Sequence, residues 1–151
     1  MIQDCACLCG ASRFTVVGDP IGRFLCHCTI CQKACGKPFA DVTLFWADSV
    51  AFPVNQPIEF RRHQPPPAMR RRRCAKCGDP VVNLLGIAPL TLAFVPSHNF
   101  PRPAELPAPG RHIFYDRRIA DSIPKLGGYW PSEAYVTRTV LAGLFRPRHA
   151  A

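Results

Sequence analysis

The chain has 151 residues, 48% of them hydrophobic, which suits one domain with its own core. It has no run approaching the roughly 18–20 apolar residues of a membrane-spanning helix. A formal net charge of +9 attracts anions of any size, from a small acid to a phosphate backbone, and does not choose between them. Nine cysteines are an odd number for a disulfide framework, and the start Met1-Ile2-Gln3-Asp4-Cys5 lacks the basic, then apolar, pattern of a signal peptide. The expected location is therefore cytoplasmic, where thiols stay reduced and clustered cysteines bind metal more often than they pair.

The 17 prolines and 10 glycines interrupt the sequence too often for long helices and favour short strands joined by turns, a mainly β chain. Residues 12–17 read as a strand with Phe14 and Val16 on one face, ended by the turn Gly18-Asp19-Pro20. Phe24-Leu25 leads into a cysteine cluster, and residues 29–34 suit a short helical turn. Residues 39–46 form the strongest strand pattern, followed by short runs over 50–54 and 59–62. Three consecutive prolines within 64–68 make a loop that cannot join a ladder. Strands are expected over 81–85 and 90–95, between Pro80, Pro89 and Pro96. A proline-rich connection covers 100–111, a buried strand 112–115, and a C-terminal helix 132–144. A single domain is expected over 1–145, with 146–151 a disordered basic tail.

Seven of the cysteines fall in three tight clusters, Cys7-Leu8-Cys9, Cys26-His27-Cys28-Thr29-Ile30-Cys31 and Cys74-Ala75-Lys76-Cys77. Two cysteines one or two residues apart can chelate an ion from a single turn, and Gly10 and Gly78 allow the tight turn that follows each outer pair. The outer pairs supply four thiolates, Cys7, Cys9, Cys74 and Cys77, enough to close one tetrahedral zinc of a structural kind. The central cluster supplies three, Cys26, Cys28 and Cys31, which leaves a second zinc an open position for water or substrate. Cys35 offers an alternative, a closed C-x-C-x-x-C-x-x-x-C site, and Cys5 is a further spare thiol. Seven thiolates and two Zn²⁺ change the charge by about −7 + 4 = −3, from +9 to about +6.

His27 lies between two proposed ligands. Adjacent residues on an extended stretch point apart, so it is read as a wall of the site rather than a ligand. His112, in an apolar strand, reads as a satisfied core histidine, and His63, His98 and His149 carry no signal. Arg70-Arg71-Arg72-Arg73 directly precedes Cys74. The plain reading is a solvated basic segment. If it is a strand, alternate arginines share a face, and two of them can reach a pocket and clamp the carboxylates of an acidic ligand.

The ordered set Cys7-Leu8-Cys9-Gly10-Ala11-Ser12-Arg13-Phe14, Cys26-His27-Cys28-Thr29-Ile30-Cys31-Gln32-Lys33 and Cys74-Ala75-Lys76-Cys77-Gly78 resembles the glutathione-dependent formaldehyde-activating enzyme family. The likeness extends to Gly36, Phe39 and His112-Ile113-Phe114, and covers roughly residues 5–125. The resemblance implies a β-tent of several small, bent antiparallel sheets held by zinc. It implies structural zinc on Cys7, Cys9, Cys74 and Cys77, and catalytic zinc on Cys26, Cys28 and Cys31. It also implies a carbon–sulfur lyase activity, joining glutathione to formaldehyde as S-hydroxymethylglutathione. Cys35 stands where the family usually carries serine or threonine, and the tryptophan common after the late strand is absent from Y-D-R-R-I-A-D-S-I-P over 115–124.

Two other functions compete with a lyase acting on a small thiol and a small electrophile. One is a zinc module that binds nucleic acid or protein through Arg70, Arg71, Arg72, Arg73 and the basic tail. No base-stacking aromatics interleave those arginines. The other is a redox sensor in which Cys35 pairs with a zinc ligand and ejects the metal.

Overall fold

The computed structural model describes residues 1–61, 69–87 and 90–119, together with residues 134, 137, 138, 141 and 142. The described residues form strands β1 (Ile2–Ala6), β2 (Arg13–Val17), β3 (Gly22–Cys26), β4 (Ala40–Trp46), β5 (Val50–Ala51), β6 (Ile58–Arg61), β7 (Met69–Cys74), β8 (Pro80–Leu85), β9 (Leu92–Pro96) and β10 (Arg111–Ile113), with one short helix, α1 (Thr29–Cys35). The proline loop over 64–68 and the tail over 146–151 lie outside the described residues. Of the expected helix over 132–144, the five described residues are helical.

The strands make a small sheet in the order β1-β2-β5 and a wide one in the order β10-β3-β4-β9-β8-β7-β6. The chain is thus mainly β, as expected. Its pairings are antiparallel with one exception, since β10 runs parallel to β3. No helix among the described residues is long and apolar enough to cross a membrane.

Three details depart from the sequence expectation, each for a local reason. β1 carries no apolar alternation to reveal it, because Gln3 is 2% exposed and Ile2 68%, the reverse of their polarity. The run over 50–54 pairs only at Val50–Ala51; Pro53 has no N–H to give a ladder, and Asn55 turns the chain at φ 64°. β10 ends at Ile113 rather than Tyr115, because Phe114 adopts left-handed backbone at φ 53° and a 3-10 turn follows over Tyr115–Arg117.

β4 is buried on both faces and joins two apolar clusters. Val42, Leu44 and Trp46 pack with Phe24, Cys26, Leu92, Phe94 and Ile113, while Phe45 packs with Phe14, Val16, Val81, Val95 and Phe100. Phe45 is fully enclosed and stacks on Phe100 at 5.9 Å between ring centres. Truncating it leaves a ring-sized void in a close-packed interior. Phe45→Ala is therefore expected to lower unfolding stability by about 3–5 kcal/mol, read as a drop in the urea midpoint at unchanged slope.

This core sets the ends of four strands. β1 and β7 deliver the outer cysteines, while β3 delivers Cys26 into α1 with β10 alongside.

Candidate metal centres

The outer cysteines sit in two matching turns. Beyond β1, the Cys7 N–H donates to the Ser12 carbonyl at 3.0 Å and the Gly10 N–H to the Cys7 carbonyl at 2.9 Å. Beyond β7, the Cys74 N–H donates to the Asp79 carbonyl at 2.9 Å and the Gly78 N–H to the Cys74 carbonyl at 2.9 Å. Gly10 and Gly78 take φ of 72° and 73°, the left-handed backbone that each turn needs.

The two turns bring the sulfurs of Cys7, Cys9, Cys74 and Cys77 within 4.8 Å of one another. Cys7 Sγ lies 3.5 Å from Cys9 Sγ, which lies 3.8 Å from Cys74 Sγ. A tetrahedron with zinc–sulfur bonds of about 2.3 Å has edges of about 3.8 Å, so this set fits a four-sulfur zinc. The Ser12 N–H donates to Cys7 Sγ at 3.3 Å and so fixes the direction of that sulfur.

Asp79, which the sequence reading passed over, braces these turns. One oxygen accepts the Leu8 N–H at 3.0 Å, and the other faces His98 Nε2 at 3.0 Å. His98, read as carrying no signal, thus has a defined partner. Asp79→Ala removes the acceptor of the Leu8 N–H and is expected to cost about 0.5–1.5 kcal/mol of stability. It should also loosen metal retention by the four outer sulfurs about 10–100-fold, measured by competition with a chromogenic chelator.

The central cysteines come from one continuous stretch. Cys26 ends β3, where it pairs with Ala40 of β4 and Ile113 of β10. Cys28 is the N-cap of α1, its sulfur accepting the Cys31 N–H at 3.4 Å, and Cys31 lies in the first turn. These three sulfurs lie within 4.8 Å of one another. Cys35 is not among them. Four residues of α-helix carry it about 6 Å along the axis from Cys31, so it stands on the rim of the cluster. Cys5 is also outside, buried in β1 with its thiol pushed up to about 12 by burial and then by Asp4.

His27 is not a member of the sulfur set. Its fully buried ring contacts Phe39, His112 and Tyr115, and its Nε2 lies 2.9 Å from His112 Nδ1. Burial, then the neighbouring charges of His112 and Arg118, hold the His27 pKa below its ordinary value, which favours the neutral ring. His112 is thereby placed beside the central cluster, with the His27 ring as its partner. The Gln32 amide N–H₂ ties the region together, donating to the His27 carbonyl at 2.8 Å and the Arg117 carbonyl at 2.9 Å.

The arginine run is β7, and its faces divide as strand geometry requires. Arg72 lies over the Phe60 and Phe52 rings, at 4.9 and 5.1 Å. Arg71 and Arg73 line a narrow cleft of about 20 Å³ with Cys31, Cys35, Val42 and Asn83. That is room for about one water or a one-carbon molecule. A wider hollow of about 430 Å³, bordered by Lys37, Phe39, Asp41, Ser97 and His98, shares Cys35 and Ala40 with the cleft.

Together, the wide sheet and the two sulfur sets define a β protein whose cysteines are arranged to hold metal ions. The chain belongs to the glutathione-dependent formaldehyde-activating enzyme family, whose model matches residues 2–117. No curated protein matches it.

Proposed function

We propose that the chain is a zinc-dependent carbon–sulfur lyase. It joins a small thiol, glutathione or a relative, to formaldehyde or a related electrophile, and catalyses the reverse cleavage. The supporting observation is the contrast between the sulfur sets: four outer sulfurs match a complete tetrahedron, whereas the central three stand beside a cleft with Cys35 outside their group. Two zinc ions per chain follow, a structural one on Cys7, Cys9, Cys74 and Cys77 and a catalytic one on Cys26, Cys28 and Cys31. Bound at the central set, zinc supplies Lewis acidity muted by three thiolates and a preference for a soft fourth ligand.

In the reaction the thiol loses its proton, a sulfur lone pair forms the C–S bond, and the carbonyl π pair moves to oxygen, which takes up a proton. No oxidant or reductant is consumed. The chain's own contribution is positioning. β3 and α1 hold the sulfurs, the ring cluster of His27, Phe39 and Tyr115 shields that end of the site, and the cleft admits a molecule the size of formaldehyde. Cytoplasmic location suits seven reduced thiolates. The division of β7 weighs against nucleic-acid binding through that strand, because Arg72 is engaged by aromatic rings and Arg71 and Arg73 turn to the cleft, so the four arginines do not share one face.

Two measurements test this reading. X-ray absorption on the metal-loaded protein should give two zincs averaging about 3.5 sulfurs each, unchanged in Cys35→Ser. Exchange NMR with ¹³C-formaldehyde and glutathione should show adduct formation and breakdown faster than in buffer. Four sulfurs on each zinc, one of them lost in Cys35→Ser, or exchange no faster than in buffer, overturns it.

A further inference from the structure

The two turns of the outer sulfur set match in their charges as well as their backbone. The Arg13 Nε–H donates to the Gly10 carbonyl at 3.1 Å, and the Arg73 Nε–H to the Gly78 carbonyl at 2.9 Å. Each turn thus ends on a glycine with a guanidinium against it, and Lys76 stands exposed between Cys74 and Cys77. The four sulfurs are uneven in depth. Cys7, tied to the Ser12 N–H, and Cys74, at the end of β7, are buried, whereas Cys9 and Cys77 are exposed. The glycines keep the approach to them open. Among the described residues, a Cβ added to Gly10 would meet nothing within 4 Å, and one added to Gly78 only Arg73 Nη2 at 3.7 Å. The central set has no exposed sulfur: Cys26 is buried, and Cys28 and Cys31 are half-buried.

An exposed thiolate among cations is the reactive kind of cysteine, while a buried one is inert. We infer that the outer set is a peroxide-responsive site, at which Cys9 and Cys77 close as a disulfide and the metal is released. The Cys77 thiolate gives an electron pair to one peroxide oxygen and the O–O bond breaks. Cys77 becomes a sulfenic acid, and the departing hydroxide takes a proton from solvent. The Cys9 thiolate, within 4.8 Å, then attacks that sulfur and expels a second hydroxide, which is protonated in turn. Two electrons pass from the sulfurs to the peroxide, which ends as two waters. Lys76 and the two arginines stabilise the hydroxide as it leaves. Cys7 and Cys74 alone cannot retain an ion that four thiolates held. The new bond joins the same two turns as the metal did, so the sheets stay tied and a reductant can reverse the change. Cys35, the thiol that the sequence offers for a redox role, takes no part, because burial raises its pKa and keeps it a thiol. The inference rests on the metal reading of the outer set and not on the lyase chemistry.

The test treats zinc-loaded full-length protein with hydrogen peroxide and follows zinc release with a chromogenic indicator. Cys28→Ser isolates the outer ion, since the central set is then the one that loses its metal. Its remaining zinc should leave on peroxide treatment, and adding Cys35→Ser should not change the rate. Lys76→Gln should slow release about 2–5-fold, the range of a single exposed charge. Free thiols are then blocked and the chain is cut with trypsin, which separates Cys74 from Cys77 at Lys76. Tandem mass spectrometry should find Cys9 joined to Cys77, and dithiothreitol with zinc should restore the reduced, loaded chain. The same map on the wild type decides the pairing even if Cys28→Ser does not fold. Zinc retained under peroxide, a Cys7–Cys9 or Cys74–Cys77 pair within one turn, or release that requires Cys35 each overturns the inference. Its failure is separable from that of the readings before it. Exchange with formaldehyde no faster than in buffer removes the lyase and leaves the peroxide response standing. A folded Cys28→Ser chain that holds no zinc overturns the outer-metal reading and the inference together, whereas a loaded chain indifferent to peroxide overturns the inference alone.

Discussion

Cys77→Ser is expected to abolish the cooperative fold, although Cys77 is exposed and touches little of the core. The reason lies in what its sulfur joins. Cys7 and Cys9 follow β1 of the small sheet, Cys74 ends β7 of the wide sheet with Cys77 in the turn beyond it, and Cys9 and Cys74 are 65 residues apart in sequence. A metal held by all four closes that long loop and fixes the two sheets together. Apparent binding energies of structural zinc are about 10–16 kcal/mol in small zinc domains, as large as the net stability of a whole domain, about 5–15 kcal/mol. Serine replaces a thiolate with a weak, protonated oxygen donor, so most of that binding energy is lost. A circular-dichroism melt should lose its sigmoidal transition, and a strong chelator added to the wild type under reducing conditions should have the same effect. A Cys77→Ser melt within a few degrees of the wild type would show that the outer set is not what folds the chain.

The parts of this structure legible in the sequence are those whose determinants are local. Chelating turns need cysteines one or two residues apart and a glycine, so the outer and central sets stood out by spacing. Phe14 and Val16 marked β2 by period-two burial; that two arginines of the run can share a pocket was legible, but that they are Arg71 and Arg73 was not, since the register shifts between Arg72 and Arg73. β1 was illegible because a buried Gln3 and an exposed Ile2 invert the usual pattern. The contacts around the sites were illegible because strand pairing creates them. Asp79 meets His98 across 19 residues, and His27 meets His112 across 85 through the parallel pairing of β3 with β10. Only the adjacency of Asp79 to Cys77-Gly78 gave a local hint of its role. Cys35 shows the limit of counting: four sulfurs within ten residues admit a closed site, and helical rise is what moves the fourth to the rim.

Cys28→Ser should give the opposite result to Cys77→Ser, retaining the fold and losing the chemistry. Cys28 is the N-cap of α1, and its sulfur accepts the Cys31 N–H. Serine is among the best N-cap residues, so its hydroxyl can take over that hydrogen bond and keep the helix in place. Cys26 stays anchored in β3 between β4 and β10, and the outer set is untouched. The melting temperature is therefore expected to stay within a few degrees of the wild type, by about the amount a one-hydrogen-bond change produces. Metal content should fall towards one ion per chain, because two thiolates and a hydroxyl hold zinc far less well than three thiolates. Under the proposed lyase reading, a bound metal would contribute several kcal/mol to thiol activation, so the exchange rate is expected to drop by about 10³-fold or to the rate in buffer. Unfolding of Cys28→Ser to the same degree as Cys77→Ser would make the central set a second folding site. Retention of both zinc and activity would mean that Cys26 and Cys31 suffice with a donor other than Cys28, and the catalytic ligand set would have to be redrawn around them.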